Sequence, residues 1–350
     1  MNRNGEGLHE DMRNIYLIGK TDSYEFLKRE FHWNVIDLDQ RVGSGFAQEK
    51  EILAFDFSNI EKVIDIISTD YDRQFILILL GNETQQMKLV KHLAKMKRVQ
   101  AIYTQYEPQP SVLGGMKTCL IHLIESPRTF FNLNFFLICL RGAFRGFKSL
   151  IYLGIPKIRH FPLGYSNRFV EELKISGLIV GESESLMNAR ERFWNKNRKA
   201  KVFFKGQLTG EYRKLIAPYL MRRKLVEFDL NQHWGRPDLL TSTAYVDSMI
   251  ESKFVYCPPG HVSNDTFRRT EALICGALPI ETESSPQNWQ KCHNSFATAK
   301  LSRYSIVHIL GKALMISEIE RKKLLCKFHD ELRSEILEVI SDIKNQTTSA

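Results

Sequence analysis

Residues 254–281 read FVYCPPGHVSNDTFRRTEALICGALPIE. The first four, Phe254 to Cys257, are apolar or aromatic and suit a buried strand. Pro258-Pro259-Gly260 ends that strand at once, since consecutive prolines remove ladder donors and the glycine turns freely. A polar loop, residues 261–265, follows. Asp265 or Thr266 carries a short side-chain oxygen able to accept the unpaired amides of a helical first turn. The helix that starts there bears Arg268 and Glu271 one turn apart, on one face. Gly276 supplies its stop, and residues 277–280 read as a second short strand. Strand, tight turn, basic helix start and strand together describe one crossover of a parallel sheet, with an anion site at its carboxyl edge.

The chemistry follows from these positions. A helix start offers free amides and a partial positive charge. Arg268 adds a planar fork of donors that matches phosphate oxygens. Glu271, one turn deeper, is poorly placed for phosphate and well placed to accept hydrogen bonds from ribose hydroxyls. Pro258 and Gly260 shape the turn beneath the phosphates, with Tyr256 at the strand end. The plain alternative is a surface ion pair at i, i+3, worth a few tenths of a kcal/mol.

Several motifs together resemble the C-terminal half of the exostosin-like glycosyltransferases. Ser252, Lys253, Phe254, Cys257, Pro258 and Gly260 match one run, and Thr266, Arg268, Glu271 and Ala272 the next. Gly276, Pro279 and Ile280 close it. Upstream, Val202-Phe203-Phe204-Lys205-Gly206 with Arg213 is similar to the element that opens the family's nucleotide-sugar domain. Pro162-Leu163-Gly164-Tyr165 is similar to a link found in some relatives. The resemblance covers about residues 159–282, and the N-terminal half carries no matching motif. It implies the GT-B fold, two doubly wound Rossmann-like domains facing across a cleft. It also implies a nucleotide-diphosphate sugar as donor, inversion at the anomeric carbon and no metal or other cofactor. Lys205, Gly206, Arg213, Tyr256, Pro258, Gly260, Thr266, Arg268 and Glu271 would then line the donor site.

The chain has 350 residues, room for two domains of ordinary size. Hydrophobic residues at 43% and charged residues at 25% fit a globular protein with a substantial core. The formal charge of +9 suits nucleic acid, an anionic membrane or a phosphate-bearing substrate. The six cysteines form no C-x-x-C pair, which argues against a zinc ribbon or a disulfide framework and for a reducing compartment. Residues 1–12 are polar, without the apolar core of a secretory signal. No stretch reaches the roughly 18 apolar residues of a membrane span. The expectation is a soluble, cytoplasmic enzyme, in contrast to membrane-anchored relatives.

In the N-terminal half, strands expected at 14–18, 34–38, 52–57, 74–80 and 101–103 alternate with helices ending near 31 and spanning 60–68 and 83–97. That alternation predicts a parallel sheet covered on both faces. Asp22 or Ser23 would cap the first helix. Asp37-Leu38-Asp39 fits a metal-binding D-x-D pattern but is more simply a strand end, and Gly43-Ser44-Gly45 is a plain turn. Glu107, in the loop after the last of these strands, is the first candidate for a catalytic base; Asp22 and then His122 follow. Residues 129–153 read either as a basic amphipathic helix on an anionic membrane or as a buried helix with solvated basic groups.

Residues 164–181 are expected to cross between domains, and residues 183–201 to form a helix rich in Arg and Lys. That cluster reads as a solvated face rather than an RNA surface. Strands near 202–204 and 225–230, a helix over 243–252 and terminal helices over 304–315 and 317–343 complete the second half. The tail after Asn345 reads as loose. The division expected is 1–160 for the acceptor side, 161–316 for the donor side, and 317–350 as a helix returning to the first domain. The acceptor implied is a glycan or lipid-linked glycan of a surface polysaccharide, with a lipid or polyol phosphate as the alternative. From another class, the alternative is a non-catalytic basic protein binding nucleic acid or membrane.

Overall fold

The computed structural model describes residues 14–19, 21–38, 50–80, 87–105, 157–179, 181, 184–188, 191–194, 198–206, 221, 226–230, 243–257, 267–280, 311 and 313–348. The first part of the chain runs β1 (Asn14–Ile18), α1 (Tyr24–Glu30), β2 (Asn34–Asp37), β3 (Lys50–Asp56), α2 (Ile60–Thr69), β4 (Gln74–Leu80), α3 (Met87–Lys95), β5 (Val99–Thr104) and β6 (Ile158–His160). These strands make one parallel sheet in the order β2-β1-β3-β4-β5-β6. The second part runs α4 (Asn167–Ile175), α5 (Glu191–Trp194), β7 (Lys199–Gly206), β8 (Glu227–Leu230), α6 (Thr243–Glu251), β9 (Ser252–Tyr256), α7 (Phe267–Ile274), β10 (Leu278–Ile280) and α8 (Glu318–Thr348). Its strands form a second sheet, also parallel, ordered β10-β9-β7-β8. Chain order is thus reversed between β1 and β3 in one sheet and between β7 and β9 in the other, the switch points where such sheets open a crevice.

Burial on both faces explains the apolar runs. In β3, Leu53 and Phe55 face one core with α2 and α3, while Ile52 and Ala54 face another. Ile60, Val63 and Ile67 give α2 its helical stripe toward the first of these cores. The other core continues without a break from Phe26 and Ile76 to Phe203 and Phe254 of the second sheet and Leu273 of α7.

The 31 residues of α8 reach about 46 Å at 1.5 Å each, enough to lie along both sheets. Near its start, Arg321 donates to the Gly276 carbonyl at 2.9 Å. Near its end, Asp342 accepts from the Tyr103 hydroxyl at 2.6 Å and from Arg159. Leu325, Phe328, Leu332 and Ile336 are buried between these points. Among the described residues no helix is long and apolar enough to cross a membrane.

Three expectations need correction. Residues 183–201 do not form one helix: α5 covers Glu191–Trp194 and Lys199 already lies in β7. Sheet pairing with β9 overrides the local helical composition there. Residues 167–175 form α4, which Ser166 caps by accepting from the Phe169 amide at 3.3 Å. Ser23 holds the N-cap position of α1 but its hydroxyl faces Gln105 instead. Asn167 serves α1 in its place, accepting from the Glu25 amide at 2.9 Å. The tail is helical to Thr348 because Thr347 and Thr348 bond back to the Lys344 carbonyl and Lys50 donates to the Gln346 carbonyl.

The start of α8 carries an acid-sensitive contact. Glu318 accepts from Arg321, which holds its carboxyl down at about 2, against an ordinary 4.5, with Lys253 adding to the effect. A depressed carboxyl contributes stability that is full above its unfolded pKa and is lost as pH falls through the folded one. Wild type is therefore expected to exceed Glu318→Gln in stability above pH 4.5, and the gap to close as pH falls to about 2. The carboxylate is 43% exposed, so screening limits the gap to about 1 kcal/mol. Urea midpoints measured from pH 6 down to pH 2 check this.

Candidate functional site

The second switch point lies between the carboxyl ends of β7 and β9. Lys205 and Gly206 close β7, in register with Asp229 and Leu230 of β8. Tyr256 closes β9, 1% exposed, its ring tilted against Phe204 at 6.0 Å between centroids. The crossover from β9 to β10 is α7, so its first turn lies at this edge. Gly276, at φ +77, then ends α7 with two paired bonds: its own amide to the Leu273 carbonyl and the Ala277 amide to the Ala272 carbonyl. This is a Schellman closure, and it sets where the helix stops and β10 begins.

Arg268 is half-buried in the first turn of α7. Its guanidinium carbon sits 4.7 Å from the centroid of Phe204, the residue two before the end of β7. The aromatic face fixes the cation at the crevice and favours it electrostatically. Glu271 is 3% exposed, which removes the surface ion pair as its explanation. One carboxylate oxygen accepts from the Tyr245 hydroxyl at 2.7 Å. The other accepts from the Ser166 hydroxyl at 2.7 Å and the Ser166 amide at 3.2 Å. Burial pushes the Tyr245 phenol well above its ordinary value, and the Glu271 charge adds to the rise while Arg268 opposes it. The site therefore holds a cation and a carboxylate on one short helix, each oriented by a neighbour from another element.

Asp22 is exposed at the carboxyl end of β1, beside the first switch point. Its carbonyl accepts from the Asn167 amide at 2.8 Å. Asn167 adjoins Ser166, so the loop that carries Asp22 and the helix that carries Glu271 meet at residues 166–167. Glu107, His122, Arg213, Pro258, Gly260 and Thr266 lie outside the described residues, as do Asp39 and residues 129–153. Among the described residues no group of three or more His, Cys, Asp and Glu side chains is gathered as for a metal ion.

Phe204, Ser166 and Tyr245, which contact Arg268 and Glu271, were not among the candidate site residues of the sequence. Ser166 directly follows Pro162-Leu163-Gly164-Tyr165, which was a usable signal. Tyr245 had none, being 26 positions from its partner. Compared with known proteins, the chain matches no family profile and no curated sequence.

Proposed function

We propose that this chain is a glycosyltransferase of GT-B architecture that moves a sugar from a nucleotide diphosphate to a glycan acceptor. The observation that carries the reading is Arg268 laid on Phe204 at the crevice between β7 and β9, one turn from the buried carboxylate of Glu271. A guanidinium and helix amides at this edge suit a diphosphate, and a carboxylate beyond them suits ribose hydroxyls. The shared strand order of the two sheets also supports it, since each repeats the doubly wound pattern that opens a ligand crevice.

In this reading residues 161–316 hold the donor and residues 1–160 the acceptor, with 317–350 tying the two. An acceptor hydroxyl attacks the anomeric carbon as the bond to the diphosphate oxygen breaks. The hydroxyl proton passes to a carboxylate of the acceptor side, Glu107 or Asp22. Arg268, Lys205 and the amides at Thr266 take up the charge of the departing diphosphate, with Arg213 assisting, and no metal is needed for that task. A lipid or polyol phosphate acceptor would use the same donor site, and a panel of acceptors separates the two.

The purified protein is expected to release nucleoside diphosphate from a matched nucleotide sugar, read by mass spectrometry across UDP- and GDP-sugars. Arg268→Ala is expected to lower that rate by about 10²–10³-fold with an unchanged melting midpoint. Full turnover by the folded variant would defeat the assignment.

A further inference from the structure

Glu271 divides its two oxygens between two elements. Oε2 takes the Tyr245 hydroxyl of α6 at 2.7 Å. Oε1 takes two donors from a single residue, the Ser166 hydroxyl at 2.7 Å and its amide at 3.2 Å. Both lone-pair directions of Oε1 are then occupied, so a further donor must displace one of them. The amide is fixed by the backbone; the hydroxyl leaves by rotating one side-chain torsion.

The neighbours of Ser166 are anchored elsewhere. Gly164 lies against the ring of Phe26, and the Tyr165 hydroxyl donates to Glu30 at 2.9 Å, both in α1. The Asn167 side-chain amide donates to the Thr21 carbonyl at 2.7 Å. Ser166 thus carries the contact from the loop after β1 to the helix that holds Arg268 and Glu271. With Tyr245 and Ser166 in place, Glu271 meets two hydroxyls, one on each oxygen, as it would meet the two hydroxyls of a ribose.

We propose that the Ser166 hydroxyl occupies, in the unliganded chain, the position on Glu271 that a ribose hydroxyl takes on binding. Nucleotide entry and the Ser166–Glu271 tie then exclude one another, and donor binding loosens the link between α7 and the loop after β1. This rests on the nucleotide reading of the site given above. Tyr245 keeps its bond throughout and holds the carboxylate in orientation.

The test is calorimetric titration of the full chain with UDP and GDP and with their 2′,3′-dideoxy forms. Wild type, Ser166→Ala, Ser166→Gly and Arg268→Ala are compared. Glycine is a good N-cap residue, so Ser166→Gly keeps α4 started should the alanine variant fold poorly. Without the competing hydroxyl, the ribonucleotide is expected to bind about tenfold more tightly, the scale of one hydrogen bond to a charged group. The dideoxy form, which has no hydroxyl to gain the freed position, is expected to show no change. Wild-type binding that is lost in Arg268→Ala, with Ser166 variants binding both forms as wild type does or more weakly, overturns the displacement and leaves the nucleotide site standing. An equal gain for both forms overturns it as well. No binding of either nucleotide by wild type overturns both.

Discussion

Replacing Arg198 with methionine is expected to lower the free energy of unfolding by about 2–4 kcal/mol, the cost of leaving partly buried carbonyls without their charged donor. Its guanidinium donates to four carbonyls: Phe193 at 2.6 Å, Ser252 at 3.1 Å, Met249 at 3.3 Å, and Cys275. Met249, Phe193 and Cys275 lie in or just beyond the last turns of α6, α5 and α7. Helix ends present carbonyls without intrahelical donors, and a cation there also meets the negative end of each helix dipole. Burial and the nearby Arg321 lower the Arg198 pKa to about 10, so it is still charged at neutral pH. Methionine keeps the apolar stem and removes every donor. Lysine restores the charge but not the planar fork, and is expected to recover only part of the loss. Urea unfolding at pH 7 measures both, and a loss below about 1 kcal/mol for methionine would remove Arg198 from this role.

Gly164→Ala is expected to cost about 2–4 kcal/mol, from the left-handed backbone and from overpacking together. Its φ is +70, and an added Cβ would stand 2.4 Å from Cγ of Phe26. That ring cannot yield: it is 0% exposed and edge-packed by Phe31 and Tyr165 at centroid distances of 5.6 and 5.2 Å. Gly177 is the internal control. It has a similar φ of +64, but nothing lies within 4 Å of its Cβ position. Gly177→Ala therefore carries the backbone strain alone, about 1 kcal/mol. The difference between the two variants in denaturation midpoints isolates the Phe26 contact. Equal losses would show that the ring moves aside.

Strands and their parallel pairing were readable because burial on both faces leaves uninterrupted apolar runs such as residues 75–80 of β4. The stop of α7 was readable too, since only a residue that tolerates positive φ closes a helix as Gly276 does. Arg268 and Glu271 could be placed on one helix from spacing alone. Their surroundings could not. Arg268 rests on Phe204, 64 positions upstream by residue number, and Glu271 is bonded by Ser166, 105 positions away. The run at 183–201 misled because its local composition favours a helix, whereas β9 offers Lys199–Gly206 a ladder to join.

By itself the sequence determined the parallel α/β class, the stop of α7 and which side chains share a face, because these depend on periodicity and on backbone freedom within a few residues. Only the tertiary structure decided what Glu271 bonds, where Arg198 sends its donors and why Gly164 admits no side chain. Hydrogen bonds and steric contacts join atoms that chain order does not bring together, and no local pattern encodes the distance between them.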